Sequence, residues 1–109
     1  MKETTKILME LLDVQNPRRC WLCQMGPGTE WHHVFMGPNR RLAEEDGLKV
    51  LLCAECHRNG QNAAHRDPAT KHMLEYYGKQ AYLIKHTPEE FRQRYGRNYD
   101  NDASVPGEP

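Results

Sequence analysis

The sequence has no surplus of charge of either sign: lysine and arginine total 15, as do aspartate and glutamate, in 109 residues. Overall electrostatics therefore advertises no polyanionic partner. Long apolar runs are missing too. The longest, "ILMELL" and "LKVLLC", fall far short of the roughly 20 residues that cross a bilayer, so no membrane partner is expected. The opening residues lack the basic-then-apolar layout of an export signal, and a cytoplasmic location is expected. No repeat, linker or low-complexity break divides the chain, whose length suits one small domain with a thin core. A content of 38% hydrophobic and 28% charged residues fits a folded chain rather than a disordered one. Something besides apolar burial is needed to hold so thin a core together.

What is present is a set of thiols and imidazoles at telling spacings. The four cysteines form two CxxC pairs, Cys20/Cys23 and Cys53/Cys56. Disulfides would not persist among reduced cytosolic thiols, whereas two such knuckles supply the four soft ligands of a tetrahedral structural Zn2+. A redox reading is disfavoured, because "CWLC" and "CAEC" lack the strand-to-helix setting of a thioredoxin-like pair. His32 and His33 stand side by side in "EWHHVF". Adjacent strand residues face opposite ways, so the two rings need separate jobs. His57 follows Cys56 directly, and His65 can return across a polar loop, so a zinc staple would gather these imidazoles. His72 and His86 have no such partners in sequence and read as structural.

The remaining pattern gives the elements. Ile7, Leu8, Leu11 and Leu12 predict an amphipathic helix over 4–15, with Thr4 or Thr5 as its cap, ended by "NPRR". "GPG" turns the chain into the strand "EWHHVF"; "MGPNR" turns it again. "RLAEEDG" predicts a short helix closed by Gly47, and "LKVLLC" a strand running into the second knuckle. "HRNGQNAAHRD" begins as a helix-like turn interrupted at Gly60. Asp67 and Pro68 start a helix of about 18 residues with Leu74, Tyr77, Ala81 and Ile84 on one face and Gly78 as a weak point. Thr87, Pro88, Glu89 and Glu90 start a last helix carrying Phe91 and Tyr95 and stopped by Gly96. Residues 100–109 are expected to be a disordered tail. They hold Asp100, Asp102 and Glu108 and no base, which leaves fifteen basic against twelve acidic residues before them.

Chemically, one ring of the His32/His33 pair can join His57 and His65 on a divalent cation, while the other takes a proton from water, since an imidazole titrates near neutrality. The cation would neutralise charge growing on a phosphate and on the departing sugar oxygen. Such an arrangement is a one-metal phosphodiesterase.

The stretch "WHHVFMGPNRRLAEEDGLKVLLCAECHRNGQNAAH", with the upstream CxxC, resembles the HNH endonuclease family, in its zinc-containing branch common among bacteriophage and prophage genes. The resemblance spans residues 18–66, and "EEFRQRYGRNYD" is similar to the closing segment of small phage members. It implies a single nuclease domain over 1–99 with its core at 18–66. The implied fold class is α+β: a zinc-stapled ββα-metal, treble-clef-like core with an N-terminal helix and two C-terminal helices. It also implies hydrolysis of DNA inside a bacterial host cell. By the same resemblance His33 is the general base, and His32, His57 and His65 hold a catalytic Mg2+ or Mn2+, with Ni2+ or Zn2+ as alternatives. Two positions depart from the family. Leu48 stands where a middle asparagine is usual, and Asn39 is the substitute orienter of the base. His57 and His65 are eight apart rather than four, which makes Asn59 and Asn62 rival ligands.

Phosphate contacts fall to Arg40 and Arg41 beyond the hairpin and to Arg18 or Arg19 beside the first knuckle, since an arginine fork holds phosphate without reading bases. Trp21 and Trp31 are expected to pack around the zinc rather than stack on bases. The chain offers no recognition helix for the major groove, so little sequence preference is expected, with specificity supplied by DNA structure or a protein partner. Two competing classes are a zinc-binding adaptor that holds nucleic acid or protein without cutting, and a redox or zinc-sensing regulator.

Overall fold

The computed structural model describes residues 1–99; the tail expected at 100–109 lies outside them. The first helix, α1, spans Glu3–Leu11. It is shorter than the predicted 4–15 because Asp13 turns left-handed, with φ 57, and the Val14 N–H donates back to the Met9 carbonyl at 3.1 Å. Neither expected threonine caps it. Lys2 is the cap residue and makes no side-chain cap bond. Thr5 instead donates its hydroxyl to the Gly47 carbonyl at 2.6 Å, from a buried position. Gly47 closes α2 (Arg40–Asp46) at φ 74, a left-handed conformation that glycine takes without cost. The threonine thus fastens α1 to the turn that leads into the sheet.

That sheet has two antiparallel strands, β1 (Glu30–His33) and β2 (Lys49–Leu52), with Glu30 opposite Leu52, Trp31 opposite Leu51, His32 opposite Val50 and His33 opposite Lys49. β1 stops before the predicted Phe35, although the Val34 N–H still donates to the Leu48 carbonyl at 3.1 Å. Beyond β2, residues Glu55–Asn59 form a π-helical turn, and the Gly60 N–H donates to the Glu55 carbonyl. The chain then doubles back. Ala64 N–H donates to the Cys56 carbonyl and His65 N–H to the His57 carbonyl, at 2.8 and 3.1 Å.

Helix α3 (Pro68–Leu83, 16 residues) follows, with Asp67 as its cap residue. The Asp67 carboxylate accepts from the Thr70 hydroxyl and not from a helix N–H. Leu74 and Ala81 are buried as the periodicity predicts, but Ile84, at the end of the helix, is 61% exposed and belongs to no core face. Gly78 is the point of closest approach. A Cβ there would lie 2.5 Å from Val34 Cγ2, so the glycine predicted as a weak point is what lets α3 lie against the end of the hairpin. Helix α4 (Pro88–Tyr95) opens with the reciprocal Thr87/Glu90 capping box and stops at Gly96, φ 79, as predicted. Phe91 and Tyr95 pack on Phe35 at ring-centroid distances of 5.5 and 4.8 Å. Arg94 and the Tyr95 hydroxyl both bond to Asp46, tying α4 to α2.

The result is a small mixed α/β fold whose core joins Leu8, Phe35, Leu48, Leu52, Leu74 and Phe91. Among the described residues no helix is long and apolar enough to cross a membrane.

Substitution of Gly78→Ala tests the close approach. In an open helix the change would gain about 1 kcal/mol. Here overpacking against Val34 is expected to outweigh that gain and give a net loss of about 1–2 kcal/mol, read from urea midpoints. A gain in stability would refute the contact.

Candidate metal centre and groove

Strand alternation sets the site. Glu30 and His32 project from one face of β1, Trp31 and His33 from the other. His32 is 1% exposed, and neither of its ring nitrogens has a hydrogen-bond partner among the described residues. Burial, followed by the neighbouring imidazoles of His65 and His57, pushes its pKa down to about 3. The ring is therefore neutral and keeps a lone pair. His57 and His65 face it at centroid distances of 5.3 and 4.9 Å, and the His57 and His65 Nε2 atoms are 2.9 Å apart. One ligand atom from each of the three residues fits within 4.8 Å of the others.

Such orphaned, buried nitrogens fit a metal site. The surroundings strengthen that fit. His57 Nδ1 lies 2.6 Å from Glu30 Oε1, and a carboxylate only accepts, so Nδ1 carries the proton and Nε2 is left as the ligating atom. Glu30 in turn receives Arg58 at 3.3 Å. The His57 hydrogen bond, with Arg58 behind it, holds the Glu30 carboxyl below its ordinary pKa. His65 is also lowered, by burial and by His57.

The sulfur atoms of Cys20, Cys23, Cys53 and Cys56 likewise lie within 4.8 Å of one another, and all four cysteines are free thiols. Burial pushes Cys20 up, yet backbone N–H groups of Cys23, Cys53 and Leu22 outweigh it and bring the thiol to about 7. Cys53 and Cys56 are pushed up, first by burial. Ionisation of Cys20 raises the cost of ionising Cys53 and Cys56, and a bound cation would offset that repulsion. Four such thiols can hold a metal ion.

His33 has a different environment, on the opposite face of β1. Its Nε2 donates to Glu44 Oε1 at 2.6 Å, and Glu44 also receives Lys49, the residue opposite His33 in the sheet, at 3.1 Å. In the neutral ring that bond puts the proton on Nε2 and leaves the lone pair on Nδ1. An open groove of about 470 Å3 brings the two faces together, lined by His32, His33, His57, His65, Arg40 and Arg58 among others.

The arginines predicted for phosphate divide. Arg40 lines the groove. Arg41 is exposed and faces Glu45 at 3.9 Å, and Arg18 and Arg19 lie exposed on the first knuckle, where Arg19 reaches the Met25 carbonyl. None of these three lines the groove. Asn39 does not orient His33, which is held by Glu44; its amide donates to the Tyr95 carbonyl and the Tyr99 hydroxyl, fastening the end of the described chain to the turn before α2. Leu48 is fully buried. His65, itself exposed, reaches the other two imidazoles through the π-helical turn and the reversal after it, and neither Asn59 nor Asn62 lines the groove. Trp21 is buried as expected, but Trp31 is 40% exposed, edge-on to Trp21 at 5.6 Å with Lys49 over its ring.

Sequence reasoning missed Glu30, Glu44 and Arg58. Glu30 carried a signal, since it lies two residues before His32 and so shares its strand face; Glu44 carried none short of the tertiary packing.

Comparison with protein-family models, with curated proteins and with solved structures finds no match to this chain.

Replacing Glu30 with Gln keeps the shape but weakens the support of His57. Affinity of the imidazole trio for Mn2+ is expected to fall about 10–100-fold in isothermal titration of protein whose thiols are already loaded with zinc. Unchanged affinity would show that Glu30 does not serve the site.

Proposed function

We propose that this protein is a metal-dependent endonuclease of the HNH type that hydrolyses DNA phosphodiester bonds, of phage or prophage origin. One observation carries the reading: a buried His32 with both ring nitrogens unpartnered, set against His57 and His65, opens onto the same groove as His33. The order of hairpin, thiol-bearing turn and following helix supports a treble-clef, ββα-metal core, and Cys20, Cys23, Cys53 and Cys56 would hold structural zinc.

His32, His57 and His65 would hold the catalytic ion. Three imidazole nitrogens suit Mn2+, Ni2+ or Zn2+ better than Mg2+, which prefers oxygen. When bound, that ion supplies charge stabilisation at the phosphate and at the departing 3′-oxygen. The rest is done by the chain. Glu44 holds the Nε2–H of His33, so Nδ1 faces its task as an acceptor and takes the proton of the attacking water. Arg40 and Arg58, on the groove wall, bind phosphate oxygens and set the strand's position. In-line attack then leaves a 5′-phosphate and a 3′-hydroxyl.

Incubation with supercoiled plasmid across Mg2+, Mn2+, Ni2+ and Zn2+ tests the reading. Nicks are expected from the wild-type protein, and a rate about 10²–10⁴ lower from His33→Ala with its fold intact. Binding without nicking under every metal would favour an adaptor; an active His33→Ala would remove the base.

Arg40→Ala should weaken DNA binding uniformly across sequences and reduce the slope of log affinity against log salt by about one. An unaltered slope would place phosphate elsewhere.

A further inference from the structure

A second depression, of about 340 Å3, adjoins the groove through Met36 and Gly37, which line both. Its other walls include Lys71, Glu75, Arg97 and Tyr99. Glu75 is the anomaly. It sits mid-helix in α3, 4% exposed, and makes no hydrogen bond or ion pair among the described residues. Its carboxylate oxygens are not among the fully buried unpartnered atoms, so the acid opens onto the depression that it lines, and a mostly desolvated carboxylate facing a cavity favours a ligand that donates to it. Burial raises its pKa, with Lys71 and Arg97 acting against the rise.

The charges around it restrict what it can bind. Lys71 and Arg97 repel a cation and favour phosphate, while the carboxylate needs N–H donors. A ligand with donors at one end and phosphate at the other satisfies both. Two adjacent donors match the two carboxylate oxygens, and among the DNA bases guanine alone presents them, at N1 and N2. Adenine and cytosine each set a ring lone pair beside their amino group, which would face the second oxygen.

We propose that this depression is a guanine subsite, in which Glu75 accepts the N1 and N2 hydrogens of the base and Lys71 and Arg97 hold phosphate. The proposal rests on the nuclease reading, because the shared Met36–Gly37 wall places the subsite beside the groove for the scissile phosphate. A base can present that edge only when unpaired. The bound strand is therefore single-stranded or has one nucleotide extruded, and sequence preference arises without a helix in the major groove.

The test is calorimetric titration of zinc-loaded protein with GMP, IMP, AMP and CMP, beside cleavage of oligonucleotides that vary only in the bases flanking the cut. GMP should bind about tenfold more tightly than AMP or CMP, with IMP, which lacks the N2 amino group, in between. Glu75→Gln should abolish that ranking while thermal unfolding stays cooperative; if the variant fails to fold, the wild-type ranking decides. GMP binding no tighter than AMP binding, or a ranking that survives Glu75→Gln, overturns the subsite. DNA cleavage without guanine preference also overturns it and leaves the nuclease reading standing. Selective GMP binding by a protein that cuts no DNA supports the subsite and removes the nuclease reading instead.

Discussion

Four sulfur atoms from two distant knuckles crowd within 4.8 Å, and the rest of the molecule is arranged around that closure. Apolar burial alone does not explain it, because three of the four cysteines are only partly buried and ionisation of one raises the cost of ionising the next. A shared cation would resolve the conflict, and in doing so it would close the loop that contains β1, α2 and β2. The second knuckle then hands the chain directly to His57. Position and charge at the imidazoles are thereby set from a point one residue away, through a turn whose width lets His65 come back beside them.

On that frame the four residues of β1 carry two duties without interference. One face puts His32 among lone-pair donors and Glu30 behind His57. The other puts His33 on Glu44, with Lys49 steadying the same carboxylate. His33 and His57 thus each have a carboxylate that settles which nitrogen holds the proton, whereas His32 and His65 have none. Buried nitrogens without partners are costly in a structural residue; His72 leaves one ring nitrogen so, whereas His32 leaves both and sits against two further imidazoles.

Much of this was legible in the sequence. Alternation announced the split between His32 and His33, and Thr87 with Glu90 announced the start of α4, because both depend on local geometry; the sulfur cluster was legible although its knuckles are distant, because each CxxC pair marks half of a four-ligand set. The failures share a cause. Thr5 looked like a cap but spends its hydroxyl on Gly47, Asn39 looked like a catalytic orienter but clasps Tyr95 and Tyr99, and Gly78 looked like a defect but admits Val34. Each was decided by a residue far away in sequence. Glu44 and Glu75 illustrate the same limit from the other side, since no pattern marks one exposed acid as the partner of His33 or another as the one turned inward.

The shortness of β1 limits how the chain's length can vary. The stretch between Cys23 and Glu30 is held as well, since the Cys20 N–H donates to the Gly26 carbonyl, the Gly28 N–H to the Arg18 carbonyl and the Thr29 N–H to the Leu52 carbonyl. One extra residue inside the strand would turn every following side chain over, carrying His33 toward the trio and His32 toward Glu44. The two faces of β1 therefore depend on a fixed count of residues from Cys20 to His33, a constraint on insertions that no single substitution would reveal.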